Sequence, residues 1–148
     1  MAYWLLKTEP SEYSYEDLER SGRTAWDGVR NYQARNNLAA MRTGDRCFLY
    51  HSVEPRHVVG VAKVVRGAYP EPGAKGPQWI AVDIEPVERL VSPVSLDAIK
   101  QHPVLSGMAL VRQSRLSVCP VSAEQWKLVL AMGRRRRATV PSKVRKAT

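Results

Sequence analysis

Short apolar stretches alternate with polar breaks along this chain, and each spacing predicts one element. Tyr3 to Thr8 (YWLLKT) is mostly apolar and reads as a strand inside a sheet, ended by Glu9-Pro10. Ser14 is an N-cap with Asp17 in the capping-box position, so a short helix is predicted over Tyr15 to Arg20, with Gly22 as its stop. After Asn31, a second N-cap, Ala34, Leu38 and Met41 recur at i, i+4, i+7. They predict a helix running to about Met41, with Gly44 just past its end. Arg46 to Ser52 and Val58 to Arg66 read as strands. Gly60 and Ala62 among valines point to barrel curvature or close backbone packing there. The Pro- and Gly-rich run from Pro70 to Pro77 is a loop. Trp79 to Val87 alternates, with Ile80, Val82 and Ile84 on one face and Asp83 and Glu85 on the other. This predicts a half-buried, antiparallel strand.

Ser95 caps a helix from Leu96 to Gln101 that cannot pass Pro103. Leu110 to Arg112 reads as a bridge or short strand, and Arg115 to Val118 as the last strand. The final helix has Ser122 as N-cap, Gln125 closing a capping box, and Val121 and Trp126 in staple positions. Its packing face is Trp126, Val129 and Leu130, and Gly133 ends it. Trp4, Trp79 and Trp126 fall in regular apolar patterns and are expected in the core. Strands and helices do not alternate strictly, which argues against a parallel doubly wound sheet. The expectation is an α+β fold: a curved, mainly antiparallel sheet or open barrel flanked by short helices.

One window does not fit this apolar bookkeeping. Trp26 to Asn36 reads WDGVRNYQARN, with two aromatics, two Arg, two Asn, a Gln, an Asp and a Gly in eleven residues. Asp27-Gly28 is a turn signal. On the helix that follows, Tyr32, Arg35 and Asn36 lie opposite the apolar stripe. Aromatic faces stack on flat rings, while amides and guanidinium groups read a ring edge or a phosphate. Trp26 and Tyr32 are candidate stacking surfaces, and Asn31, Gln33 and Asn36 candidate edge readers. On spacing alone, an amphipathic helix with an ordinary wet face and a core Trp26 remains open.

This block resembles the signature of the EVE domain, a member of the PUA-like superfamily related to YTH and ASCH domains. Residues 3–10 (YWLLKTEP) resemble that family's opening strand, 50–52 (YHS) its strand end, and 112–117 (RQSRLS) its late strand. The resemblance covers roughly residues 2–133, with a short middle insertion between Tyr69 and Trp79. It implies a PUA-like pseudo-barrel and recognition of a modified base in a concave pocket, a modified cytosine in DNA before any other, or a modified RNA base. The pocket residues it implies are Thr8, Trp26, Val29, Asn31, Tyr32, Arg35, His51, Ser52, Tyr69, Gln113, Ser114 and Arg115. For His51 a hydrogen-bonded sheet-edge role stands as an equal alternative.

Charge changes the picture in one respect. The chain is 148 residues long with a net charge of +9, but residues 134–148 carry seven Lys or Arg and no acid. The remaining 133 residues carry sixteen basic and fourteen acidic groups. A 1–133 domain and a basic 134–148 tail, disordered when free, are therefore expected. Arg30 with Arg134, Arg135, Arg136 and Arg137 are the candidates for nucleic-acid backbone contact. Cys47 and Cys119 sit in strand-like contexts and are expected to be buried thiols; His51, His57 and His102 show no metal spacing with them. No metal and no cofactor are expected. There is no nucleotide-binding Gly-rich loop, nucleophile elbow or zinc-protease motif, so a non-catalytic binder is expected. Two rivals stand beside it: a small hydrolase acting on a nucleotide-like ligand, and a PUA-type RNA-binding adaptor indifferent to modification. No apolar run reaches a membrane span and the N-terminus lacks a signal-peptide pattern. The expected place is the cytoplasm, or the nucleus in a eukaryote, and a monomer is expected.

Overall fold

The computed structural model describes residues 1–76 and 78–135. The elements are β1 (Tyr3–Thr8), α1 (Tyr15–Ser21), β2 (Thr24–Trp26), α2 (Tyr32–Ala40), β3 (Arg46–His51), β4 (His57–Pro70), β5 (Ile80–Ser95), α3 (Leu96–Gln101), a 3-10 turn (Leu105–Gly107), α4 (Ala109–Arg112), β6 (Val118–Val121) and α5 (Ala123–Arg134). The strands form one sheet in the order β2-β5-β4-β3-β1-β6. Among the described residues only β1 and β3 run parallel, and the other four pairings are antiparallel. This is the α+β architecture expected from the element order.

The predicted caps set the helix starts. Ser14 and Ser122 each close a capping box, and the side chains of Asn31 and Ser95 accept from Ala34 N and Ala98 N. The apolar stripe of α2 is buried through Ala34, Leu38 and Met41, against β4, β5 and β6. Trp126 of α5 stacks on Phe48 and on Tyr3, with ring centroids 3.8 and 4.7 Å apart. It is one of the anchors holding this helix on the sheet.

Curvature comes from β4 and β5, whose register shifts four times along their length. Both strands run well beyond the predicted limits. Gly60 has a packing reason: a Cβ there would lie 2.4 Å from the Tyr15 ring, whose hydroxyl donates to Val61 O at 2.8 Å. The strand therefore needs a residue without a side chain where the Tyr15 ring packs on it.

Five local expectations are corrected. The strand around Ile80–Glu85 is not half-buried: Ala81, Val82, Asp83 and Ile84 are buried in succession, on both faces. Asp83 pairs in register with Ala25 and Arg66 and is buried. Its carboxylate accepts from the Tyr69 hydroxyl and, at 2.9 Å, from Arg23. Leu110 to Arg112 belongs to a helix turn, with Val111 N and Arg112 N both donating to Met108 O. The last strand starts at Val118, since Arg115 and its neighbours form the turn after α4. Gly133 does not end α5; it lies inside the helix, where a Cβ would meet Leu90 at 2.6 Å. Trp79 is not core but half-exposed beside Tyr32. Cys47 and Cys119 are buried free thiols, and burial pushes both thiol pKa values up.

Candidate functional site

Strand β1 ends beside the loop that joins β2 to α2, and a cleft of about 640 Å³ opens between them. That volume is in the range of small-molecule sites. Lys7 and Thr8 form one wall, the β2–α2 loop from Trp26 to Asn31 another, and Tyr13 and Ser117 complete it. Trp26 and Tyr13 meet edge to face, their centroids 6.2 Å apart at 78°. The Thr8 hydroxyl donates to Tyr13 O at 2.8 Å and so ties the segment before α1 to the strand end. The result is an aromatic corner bordered by hydroxyls, an amide and a lysine. It offers a face for a flat ring and donors and acceptors for its edge.

The β2–α2 loop is held in place by a distant residue. Gly28 sits at φ +75°, a left-handed turn that favours glycine, and its N–H donates to Glu71 Oε1 at 2.7 Å. Arg30 donates to both carboxylate oxygens of Glu71, at 3.0 and 2.7 Å, in a two-point fork. The Arg30 hydrogen bonds hold the Glu71 carboxyl below its usual range, and the fork raises the Arg30 guanidinium in turn. Arg30 also lies 4.9 Å from the Trp79 ring centre, and Tyr32 stacks on the same ring at 5.2 Å. Loop, strand end and aromatic shelf are thus one clamped unit.

The structure brings some sequence candidates together and separates others. Thr8, Trp26, Val29, Arg30 and Asn31 line the cleft. Asn31 also caps α2, which occupies its side-chain oxygen with Ala34 N at 2.9 Å. Tyr32 lies outside the cleft, 60% exposed on the Trp79 shelf. Arg35 is half-buried, and its enclosed Nε has no hydrogen-bond partner among the described residues. Asn36 is exposed on the outer face of α2. His51 faces α1, its Nε2 accepting from Tyr15 N at 3.2 Å, as a hydrogen-bonded sheet-edge histidine would. Tyr69 is turned toward Asp83 under the Arg66 guanidinium, 3.7 Å away; burial and the Asp83 contact push its hydroxyl up to about 12. Gln113, Ser114 and Arg115 line a separate hollow of about 370 Å³ with Asn31 and Gln33, where Gln33 donates to Gln113 at 2.8 Å. Ser52 lines a third hollow of about 350 Å³. Arg134 is paired with Glu88, and Arg135 caps α5. Arg136 and Arg137 fall outside the described residues.

Four residues at or beside the cleft escaped sequence reasoning: Lys7, Tyr13, Glu71 and Trp79. Only Lys7 carried a signal, as the lone charge in an apolar strand. The cleft is lined by both signs of charge, the carboxylates Glu9, Glu12 and Asp27 beside Lys7 and Arg30, whereas the two side hollows hold Lys7, Arg56, Lys100, Arg112 and Arg115 with no carboxylate among their lining residues. Among the described residues no three His, Cys, Asp or Glu converge as a metal site, and no helix is long and apolar enough to cross a membrane.

Known proteins resemble this chain in sequence and fold. Thymocyte nuclear protein 1 of Rattus norvegicus is 35% identical, over 88% of this chain and 73% of its own length. A Rhodopseudomonas palustris protein solved by NMR has a TM-score of 0.86 at 48% identity, covering 90% of this chain and 93% of its own. The human THYN1 protein, solved in complex with 5-methylcytosine containing DNA, has a TM-score of 0.83 at 32% identity over 92% of this chain and 99% of its own. At 13% identity and a TM-score of 0.59, covering 93% of this chain and 90% of its own, the YTH domain of a Zygosaccharomyces rouxii protein, solved with N6-methyladenosine RNA, shares the fold alone. The EVE domain model matches residues 2–132, and the chain belongs to the EVE domain family.

Proposed function

We propose that this protein is a non-catalytic reader that encloses one flipped-out modified base, a modified cytosine in DNA before any other, in the cleft beside Trp26. The observation that carries the reading is the aromatic corner of Trp26 and Tyr13, open at about 640 Å³ and edged by Thr8, Asn31 and Lys7. A base must leave its stack to enter such a cleft, and stacking against an aromatic side chain offsets that cost. The human relative solved with 5-methylcytosine containing DNA supports the choice of base. His51, whose Nε2 is engaged by the Tyr15 amide, is turned to α1 and takes no part. The basic tail adds sequence-independent contact with phosphates.

The test is binding of oligonucleotides that differ in one modified cytosine, at two salt concentrations. Trp26→Ala removes a stacking surface worth roughly 1–3 kcal/mol per base, a loss of about five- to 150-fold for the modified site. Salt-sensitive, base-indifferent binding should survive. Parallel loss of both in the salt titration would overturn the reading, and turnover of a modified nucleoside would replace it with an enzyme.

A further inference from the structure

The hollow on the far side of Lys7 has a different chemistry from the cleft. Six of its residues carry the argument: Lys7, Tyr50, Ser52, Arg56, Lys100 and Ser114. Three are cations and three carry hydroxyls, of which that of Ser52 already donates to Thr8 O at 3.3 Å, and no carboxylate lines it. We propose that this hollow is a phosphate site, taking a backbone phosphate of the strand whose base the cleft holds.

Lys7 is the link. It lines both spaces, so a ligand in one lies a single side chain away from the other. Its ammonium spends one hydrogen bond, to Ser114 O at 2.8 Å, and has no carboxylate partner among the described residues. Burial draws the Lys7 pKa below its ordinary value, which is the cost of holding a half-buried cation without an anion. A phosphate would offset that cost. Tyr50 is buried in the sheet, and its hydroxyl has no hydrogen-bond partner among the described residues. Lys100 is exposed on α3 without an ion pair among them. Arg56 is held at the mouth, its Nε donating to Ser52 O at 3.2 Å while a terminal nitrogen meets Glu54 at 3.1 Å. The neighbouring acids, Glu54 and Asp97, stand outside the lining. A planar guanidinium, two ammonium groups and hydroxyl donors around one space form the donor set that phosphate oxygens take. The alternative source, free phosphate, shares that chemistry but gives no reason for the connection through Lys7.

The inference rests on the base-reader reading for its choice of strand, and the experiment separates the two. Binding of the full chain to a short oligonucleotide is measured against salt, for the parent and for the double variant Lys100→Gln, Arg56→Gln. Both positions are exposed, and Gln keeps α3 helical, so the fold is retained. Each lost phosphate contact lowers the slope of log affinity against log salt by roughly 0.7–0.9. A slope reduced by about one such step or two, equally on modified and unmodified oligonucleotides, is expected. An unchanged slope overturns the site. A reduced slope in a protein with no modified-base preference keeps the site and sinks the reader. Amide shifts of Lys100 and Arg56 are then followed with inorganic phosphate and with a dinucleotide. Tighter binding of the dinucleotide is expected; saturation by inorganic phosphate alone overturns the strand assignment.

Discussion

Arg30 and Glu71 are forty-one residues apart and meet in a two-point fork, Nη2 to Oε2 at 2.7 Å. The same carboxylate holds Gly28 N, so one side chain from the end of β4 fixes both ends of the turn behind Trp26. The folded pKa of Glu71 is depressed below 4.5, chiefly by Arg30. A group depressed in this way stabilises the fold above its unfolded pKa, and the contribution is lost as pH falls through the folded value. The clamp should therefore hold at neutral pH and open only below about 4.5. Near-ultraviolet circular dichroism of the Arg30, Trp79 and Tyr32 shelf should show an acid transition that Glu71→Gln abolishes. At neutral pH, Glu71→Gln should weaken binding of the modified oligonucleotide while the unfolding midpoint moves little. Unchanged affinity would show that the turn holds its shape without the clamp.

Gly60 lies under the Tyr15 ring with no room for a methyl group, since ring carbons would stand 2.4–2.7 Å from it. The ring is fixed by its hydroxyl on Val61 O and cannot swing aside cheaply. Gly60→Ala should destabilise the fold by roughly 1–3 kcal/mol, the usual cost of forcing extra volume into a filled core. Urea unfolding measures this. If Tyr15→Ala in the Gly60→Ala background does not recover part of the loss relative to Tyr15→Ala alone, the clash is not its origin.

These two contacts show where the sequence was legible and where it was not. Ser14, Asn31, Ser95 and Ser122 announced the starts of four helices because capping is local chemistry between residues three apart. The WDGVRNYQARN window announced a site because no packing pattern explains its mixture of groups. The partner of Arg30 had no such signal: Glu71 stands in a Pro- and Gly-rich loop and gains its role only when β4 returns to the sheet end. Trp79 was misread for the same reason, since alternation continues into β5 but the strand begins one residue later. Arg115 to Val118 was misplaced because a turn and a strand edge share the same polar and apolar alternation. Asp83 is buried against its own pattern, its carboxylate held by Tyr69 and by the distant Arg23. Long-range pairing overrides period-two alternation where both faces become covered.

Asp45 is a buried carboxylate that closes the other end of β1. It accepts from Ala2 N, Trp4 Nε1 and Arg42 N, each at 3.0 Å. Burial alone would raise its pKa, but the Arg42 amide, the Trp4 indole and the Ala2 amide together hold it below the ordinary value. Asp45→Ala leaves those donors without an acceptor, a loss of roughly 1–3 kcal/mol. The unfolding free energy in urea should fall accordingly. Asp45→Asn, which keeps an acceptor for two of the donors, should fall less; equal losses would argue against the hydrogen bonds as the cause.

His51 and His57 face each other in register at the ends of β3 and β4, their ring centres 6.1 Å apart. Burial lowers the pKa of both, and for His51 the neighbouring His57 and Arg89 lower it further, against a smaller raising effect of Glu16. The Tyr15 amide also needs the His51 Nε2 lone pair, which a proton would remove. When a folded histidine has its pKa below the unfolded 6.5, the unfolded chain takes up more protons as the pH falls. Stability then rises with pH through this window and is lost on acidification. Unfolding free energy should decline as pH falls below about 6.5, well above the range in which Glu71 and Asp45 titrate. His57→Gln should shallow the decline by removing one titrating group and the repulsion it adds. His51→Gln, which loses the Tyr15 acceptor geometry, should also lower the starting stability. A decline of unchanged steepness in the double variant would place the proton uptake elsewhere.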